Sequence, residues 1–417
     1  MRPRRERAYH EAFIDAHGPM FQPFLDLANS VAPRYDGHSL LNLSVALAQG
    51  VGKAGRRRFS APPCPLLPDL SDSRIVVFIL IDGMGANDVQ RRGAGSFMAT
   101  HQRATLTSVF PSTTASAVTT SMTGLSPAEH GLTGWFIRDD RFGGILAPLP
   151  MQRRDRVPMS GWWKLPRLFP YPSVFQRMRC RSAIVSHEHI LGSPFNMRHS
   201  RGVARRYAYG TLDEMVGAIV TAVRDLGGQG GYVYAYHGDY DALAHGHGIA
   251  SAQNAAHYAR IDAALEDLRR RLSGAGAHLV ITADHGFIDS PPERQLRLES
   301  VPEVQALLDG PLWGERRVAY CRVRRGAHAA FEAAVTTQLG DAFALVPSRR
   351  LLEAGVFGPA HRDHPRLAER VGDYALIGRE NWTVYDRVPG EPDHRMIGVH
   401  GGVHPDEMLI PLVVAAC

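Results

Sequence analysis

Apolar positions are unevenly spread along this chain. As far as about residue 70 it is Pro-rich and irregular, and only two short helical patches are predicted, around Ala8–Ala16 and Leu40–Ala48. Beyond that the pattern sharpens. "RIVVFILIDG" (Arg74–Gly83) is an unbroken apolar run, rich in β-branched residues, that closes on Asp-Gly. Strands buried on both faces read this way. "SAIVSHE" (Ser182–Glu188), "GYVYAYHGDYD" (Gly231–Asp241) and "AHLVITADHG" (Ala277–Gly286) predict three more. Between strands the period becomes helical. "TLDEMVGAIVTAVRDLGG" (Thr211–Gly228) is amphipathic, with Thr211 as N-cap, Glu214 completing a capping box and glycines at its end. "IASAQNAAHYARIDAALEDLRRRLSG" (Ile249–Gly274) predicts a long helix. Strands alternating with helices predict an α/β fold with a doubly wound, mainly parallel sheet.

The rhythm loosens after Gly286. Residues 290–395 mix Pro-rich loops with the strand-like "RRVAYCRVR" and "DYALIGRENWTVYD", the pattern of an inserted lobe. "IGVHGGVHPDEMLIPLVVAA" follows, and its last apolar run can rejoin the sheet. The expected organisation is an irregular N-terminal segment, 1–70, packed on a core, 71–417, with a cap lobe at about 290–395. A chain of 417 residues with 44% hydrophobic content can bury such a core.

Polar clusters gather where the strands end. Asp82 closes the first, Asp241 and His245 follow the "YVYAY" strand, Asp284 and His285 close "LVITADHG", and His400 precedes the last apolar run. In an open α/β sheet, ligands bind in the crevice outside the carboxyl ends of the strands. A single Asp after a strand is ordinarily a turn residue. Three Asp and three His from four segments, flanked by glycines that permit close backbone approach, are better read together. Imidazole with carboxylate is zinc-type ligation, and two such sites make a two-metal centre.

Composition narrows the setting. The formal net charge is +6, which suits anionic partners, but no run of five like charges forms a nucleic-acid-binding arm. Cys64, Cys180, Cys321 and Cys417 are scattered and form no CxxC pair. That excludes a disulfide framework and a thiolate zinc site, and it fits a reducing compartment. The basic N-terminus has no apolar segment behind it, and no run approaches ~18 apolar residues. A soluble, cytoplasmic protein without a membrane span is expected.

"FILIDGMG", "FPSTTASAVTTSMTGLSPAEHGL", "DYDALAHGHG", "TADHGF" and "VHGGVHPDEMLIP" occur in this order. Together they resemble the type I phosphodiesterase/nucleotide pyrophosphatase branch of the alkaline phosphatase superfamily. The resemblance implies an alkaline-phosphatase-like α/β/α sandwich and two zinc ions, with Mn or Fe able to replace one. It puts Asp82, Thr114, Asp284 and His285 around one ion, and Asp241, His245 and His400 around the other. It also makes Thr114 the nucleophile, through the Pro-x-x-Thr motif at Pro111–Thr114. Physics agrees: "ASAVTTSM" has helical length, so Thr114 would open a helix whose free N–H groups and dipole favour an anion. Thr113 is the neighbouring competitor, and the remaining hydroxyls are expected to pack or back-bond.

One position departs from the family. An Asn twenty-one residues after the nucleophile donates to a phosphoryl oxygen there, and here that position is Trp135. A backbone N–H, such as that of Thr114, would then take the role, or the substrate is bound differently. Trp135 and "SGWWKLP" offer stacking surface to a leaving group. His247 and His404 stand beside proposed ligands as alternatives. "HEHI" lacks the second His of a metalloprotease helix, and the Cys/Ser-x-Pro-x-Arg signature of sulfatases is absent. The expected activity is hydrolysis of a small-molecule phosphodiester or pyrophosphate through a phosphothreonine intermediate. The rivals are a phosphomonoesterase or phosphonate hydrolase on the same metals, and a catalytically silent binding protein of the same fold.

Overall fold

The most apolar segment of the chain lies at the centre of its sheet. The computed structural model describes Phe24 and residues 27–417, apart from 160, 162 and 392–394; the patch at Ala8–Ala16 lies outside the described residues. The central sheet has seven strands: β1 (Ile75–Ile81), β2 (Gln102–Thr107), β3 (Ser182–His187), β4 (Arg205–Tyr209), β5 (Gly231–His237), β6 (Ala277–Thr282) and β7 (Leu409–Ala416). Their order across the sheet is β2, β7, β6, β1, β5, β3, β4. Every residue of β1 is buried, and it pairs in parallel with β5 and β6. The last apolar run does rejoin the sheet, antiparallel to both of its neighbours. The sheet is thus mainly parallel. The two edge strands, β2 and β4, begin with polar residues that stay partly exposed, and the apolar pattern does not announce them.

Alternation along β5 distributes its side chains to two helical layers. Tyr234 Oη lies 2.7 Å from Ser121 Oγ in the helix Thr114–Thr123. On the other face His237 Nε2 lies 3.1 Å from His257 Nε2 in the helix Ala252–Arg271. That helix packs on the helix Leu212–Leu226, which has the expected capping box of Thr211 and Glu214. The buried helix Leu40–Gly50 packs on Thr114–Thr123. The long helix begins at Ala252 rather than Ile249 because Ser251 caps it. A separate helix, Asp239–His247, starts directly after β5, so Asp241 sits on a helix and not on the strand tail expected from the sequence.

Residues between β6 and β7 carry a second sheet of four antiparallel strands. They are Trp313–Gly314, Val318–Cys321, Tyr374–Gly378 and Phe343–Pro347, in that order. The helix His328–Leu339 buries Phe331, Val335 and Leu339 against it. The chain leaves and re-enters the core through a short antiparallel neck, Ile288–Asp289 with Gly398–Val399.

A buried ion pair fastens this lobe to the core. Arg317 Nη2 lies 2.9 Å from Glu407 Oε2, and both side chains are almost fully enclosed. Glu407 also accepts from Gly402 N at 2.8 Å. Glu407→Ala would leave the guanidinium buried without its counter-charge. Chemical denaturation should register a loss of ~3–5 kcal/mol; a loss near zero would mean that the lobe re-anchors elsewhere. All four cysteines are free. Among the described residues, no helix is long and apolar enough to cross a membrane.

Candidate active site

Parallel β1, β5 and β6 end at one edge of the sheet, and antiparallel β7 begins there. Asp82 follows β1, Asp241 and His245 share one face of the Asp239–His247 helix at a spacing of four, Asp284 and His285 follow β6, and His400 precedes β7. The structure brings five of the six expected side chains into groups with metal-ligand spacing, with His245 at their edge against Asp241, and Thr114 joins them from the helix behind β2. Glycines make the approach possible. Gly83 has φ +76°, and a Cβ there would fall 2.3 Å from the Phe287 ring.

The side chains form two overlapping groups with metal-ligand spacing, Asp82–Asp284–His285 and Asp241–His285–His400. His285 Nε2 lies 3.3 Å from Asp82 Oδ1 and 3.5 Å from Asp284 Oδ2. Asp241 Oδ1 lies 3.5 Å from His245 Nε2 and 3.7 Å from His400 Nε2. Asp241 Oδ1 and Asp284 Oδ2 are buried and accept no hydrogen bond. An orphaned buried carboxylate oxygen is costly unless a cation meets it. The donor set fits a divalent metal centre on that ground.

The three imidazoles are oriented for the same purpose. His245 Nδ1 faces Gly398 O at 2.9 Å, His285 Nδ1 faces Gly286 O at 3.1 Å, and His400 Nδ1 faces Ser112 O at 3.3 Å. A carbonyl only accepts, so each Nδ1 carries a proton and each Nε2 is the variable side, turned inward. Burial holds His245 down at about 4 and His400 well below its usual range, so both are neutral. Burial opposes charge on His285 too, but Asp284 and Asp82 outweigh it and lift that imidazole to about 10. Asp241 and Asp284 are pushed well above the carboxylate range by burial and by the charge of Asp82. Asp82 itself ends below that range: burial would raise it, but His285 and Tyr236 donate to it.

Thr114 is the first residue of its helix, and Thr113 is the N-cap. Among the described residues no side chain caps that end, which leaves the N–H groups of the first turn open. Thr114 Oγ1 lies 3.4 Å from Asp82 Oδ1 and 3.1 Å from His285 Nε2. Thr113 Oγ1 instead turns to Glu315 Oε1 at 2.5 Å. The other hydroxyls are occupied structurally: Thr119 bonds Ala115 O, Thr123 bonds Thr119 O and Ser116 bonds Leu132 O.

A cavity of about 450 Å³ opens from Thr114, His245 and His400 toward the lobe, which supplies Leu312, Glu315 and Tyr385 to its wall. Trp135 lines it with a partly exposed ring, while its backbone N–H is held by Glu315 Oε1 at 2.6 Å. Trp163 does not join it. Its ring packs on Phe142 with Arg167 above, and Trp162 lies outside the described residues. Neither alternative ligand enters the groups: His247 is exposed, and His404 accepts from Asp406 N at 3.2 Å as a helix cap. Glu315 was not anticipated. The only local signal for it is the polar "GERR" turn between apolar stretches.

The fold is a mixed α/β architecture built on a mainly parallel central sheet. The chain belongs to the type I phosphodiesterase/nucleotide pyrophosphatase family, whose model matches residues 76–403, and it is accordingly a hydrolase of phosphoester bonds. Murine ectonucleotide pyrophosphatase/phosphodiesterase 5, solved as an inactive threonine-to-alanine variant in complex with AMP, has a similar fold. Its TM-score is 0.60 at 16% identity, over 81% of this chain and 87% of that one. The human counterpart gives 0.60 at 18% identity over the same shares, 81% and 87%. Phosphonoacetate hydrolase from Sinorhizobium meliloti 1021, in complex with phosphonoformate, gives 0.58 at 17% identity over 82% and 90%. No curated protein matches the chain in sequence.

Proposed function

We propose that the protein is a two-metal phosphodiesterase or nucleotide pyrophosphatase-like hydrolase that uses Thr114 as its nucleophile. The observation that carries this reading is the setting of Thr114: a hydroxyl at an uncapped helix N-terminus, beside Asp82 and His285, facing the cavity. Two divalent ions, zinc by the chemistry of the donors, would be held by Asp82, Thr114, Asp284 and His285 and by Asp241, His245 and His400, and would supply Lewis-acid charge. Asp82 Oδ1 accepts the Thr114 hydroxyl hydrogen bond and orients the oxygen. Tyr236 donates to the other carboxylate oxygen and fixes that orientation. Thr114 Oγ1 attacks phosphorus in line and gives up its proton along its hydrogen bond to Asp82 Oδ1, from which it passes to solvent. The bond to the leaving oxygen breaks, and that oxygen departs with the electron pair toward the cavity. The open N–H groups of the helix receive the equatorial oxygens. Water then cleaves the phosphothreonine bond and restores the hydroxyl.

A panel of nitrophenyl monoester, diester, phosphonate monoester and nucleotide esters on the purified enzyme tests the reading. Diesters or nucleotide esters should turn over fastest. Turnover of monoester or phosphonate alone would favour the rival hydrolases, and no turnover at all would favour a silent binder. Trp135→Ala belongs on the same panel. It should raise KM for aromatic and nucleoside esters more than for methyl esters, by ~1–3 kcal/mol of lost stacking. Equal losses on both kinds of ester would mean that Trp135 only supports the fold.

A further inference from the structure

Glu315 occupies the turn between Trp313–Gly314 and Val318–Cys321, and the turn is held from three directions. Glu315 N donates to Val318 O at 2.8 Å, Gly314 exchanges backbone hydrogen bonds with Phe136, and Arg317 is locked to Glu407. The side chain leaves the lobe and enters the wall of the same cavity that Thr114 and His400 line. It packs on the next residue of the His400 loop, where a Cβ on Gly401 would fall 2.7 Å from Glu315 Cγ. Two donors converge on Oε1: Thr113 Oγ1 at 2.5 Å and Trp135 N at 2.6 Å. Among the described residues none donates to Oε2.

A site that gathers cations and helix amides for an anionic group thus also carries a carboxyl group fixed one residue from the nucleophile. A device serving affinity alone would be a donor or a cation there. We propose that Glu315 determines specificity by charge, favouring a singly charged phosphoryl group, as in a diester, over the dianion of a phosphomonoester. Like charges at short range in a partly dehydrated cleft repel strongly, and each added charge on the substrate adds to the repulsion. Burial lifts the Glu315 carboxyl to about 7, against the pull of Thr113, Trp135, His285 and Arg316, so it is charged in mildly alkaline solution. This role rests on phosphoryl transfer at Thr114.

The test uses the metal-loaded full chain, nitrophenyl phosphate and methyl nitrophenyl phosphate, at about pH 8.5, well above a phosphomonoester's second pKa of about 6. Glu315→Gln keeps an oxygen for Thr113 and Trp135 and removes the charge. The ratio of kcat/KM for monoester over diester should rise at least about tenfold, equivalent to ~1.4 kcal/mol. Glu315→Asp keeps the charge and should leave the ratio within about threefold of the parent, on the same scale. If Glu315→Gln does not fold, Glu315→Ala reads the same ratio, and Thr113→Val should shift it in the same direction by releasing the carboxylate. An unchanged ratio in a folded neutral variant, with both esters turned over, overturns the role of Glu315. Parent enzyme that turns over neither ester overturns phosphoryl transfer instead.

Discussion

Thr114→Ala should fold, retain most of its metal and lose at least ~10³-fold in turnover, about 4 kcal/mol of barrier. Thr114 opens a ten-residue helix and lines a cavity, so a methyl in its place disturbs little packing. Asp82, Asp284 and His285 remain around the position it leaves. What disappears is the one oxygen that can bond covalently to phosphorus, and only direct attack by water would leave a residual rate. Thr114→Ser should keep a measurable fraction, because a hydroxyl is still presented. Thr113→Ala is the control. Its hydroxyl is committed to Glu315, and its loss should be far milder. Acid trapping during turnover, followed by peptide mass spectrometry, should place phosphate on Thr114. Phosphate on Thr113, or a dead Thr113→Ala beside an active Thr114→Ala, would shift the nucleophile by one residue.

Metal removal should abolish turnover reversibly. Elemental analysis of the purified chain should find close to two zinc ions, and chelation should remove activity that added zinc restores. His245→Ala and His400→Ala should deplete mainly one ion, and Asp82→Asn and Asp284→Asn mainly the other. The folded state should depend on the metal as well. Without cations the oxygens Asp241 Oδ1 and Asp284 Oδ2 stay buried without partners. A ligand at ~100 times its Kd stabilises the fold by ~2.7 kcal/mol, so the chelated protein should melt measurably lower. Acid should strip the metal, because His245 and His400 must be neutral to ligate. Full activity and unchanged melting after exhaustive chelation would remove the metal centre from the account.

The core of the site is legible in the sequence because each of its segments is announced locally. An apolar run ending in Asp82, another ending in Asp284 and His285, and a spacing of four between Asp241 and His245 can each be read in isolation. Their meeting follows from parallel strands ending at one edge. The strand expected to reach Asp241 stops at His237 because Gly238 and Asp239 turn the chain into a helix, and periodicity alone does not mark that change. Edge strands β2 and β4 escape for a different reason: half-exposed strands carry no continuous apolar run. Glu315 escapes because nothing local defines its role. Its place depends on a backbone bridge between Phe136 and Gly314 and on an ion pair with a distant glutamate, contacts that exist only after folding.

The neck formed by Ile288–Asp289 and Gly398–Val399 has a consequence for engineering. It lies just after His285 and just before His400, so both cuts needed to excise the lobe fall outside the reactive constellation. The stretch from about 290 to 397 would therefore be exchangeable as a cassette, carrying Glu315, Tyr385 and the far wall of the cavity with it. Such a graft would need matched seams: the ladder of the neck, a buried cation to meet Glu407, the buried pair of Arg370 with Asp139, the contacts of Arg154 with Asp386 and Glu391, and the bridge between Phe136 and Gly314. Chimeras built on those seams would inherit their chemistry from the recipient and their choice of ester from the donor.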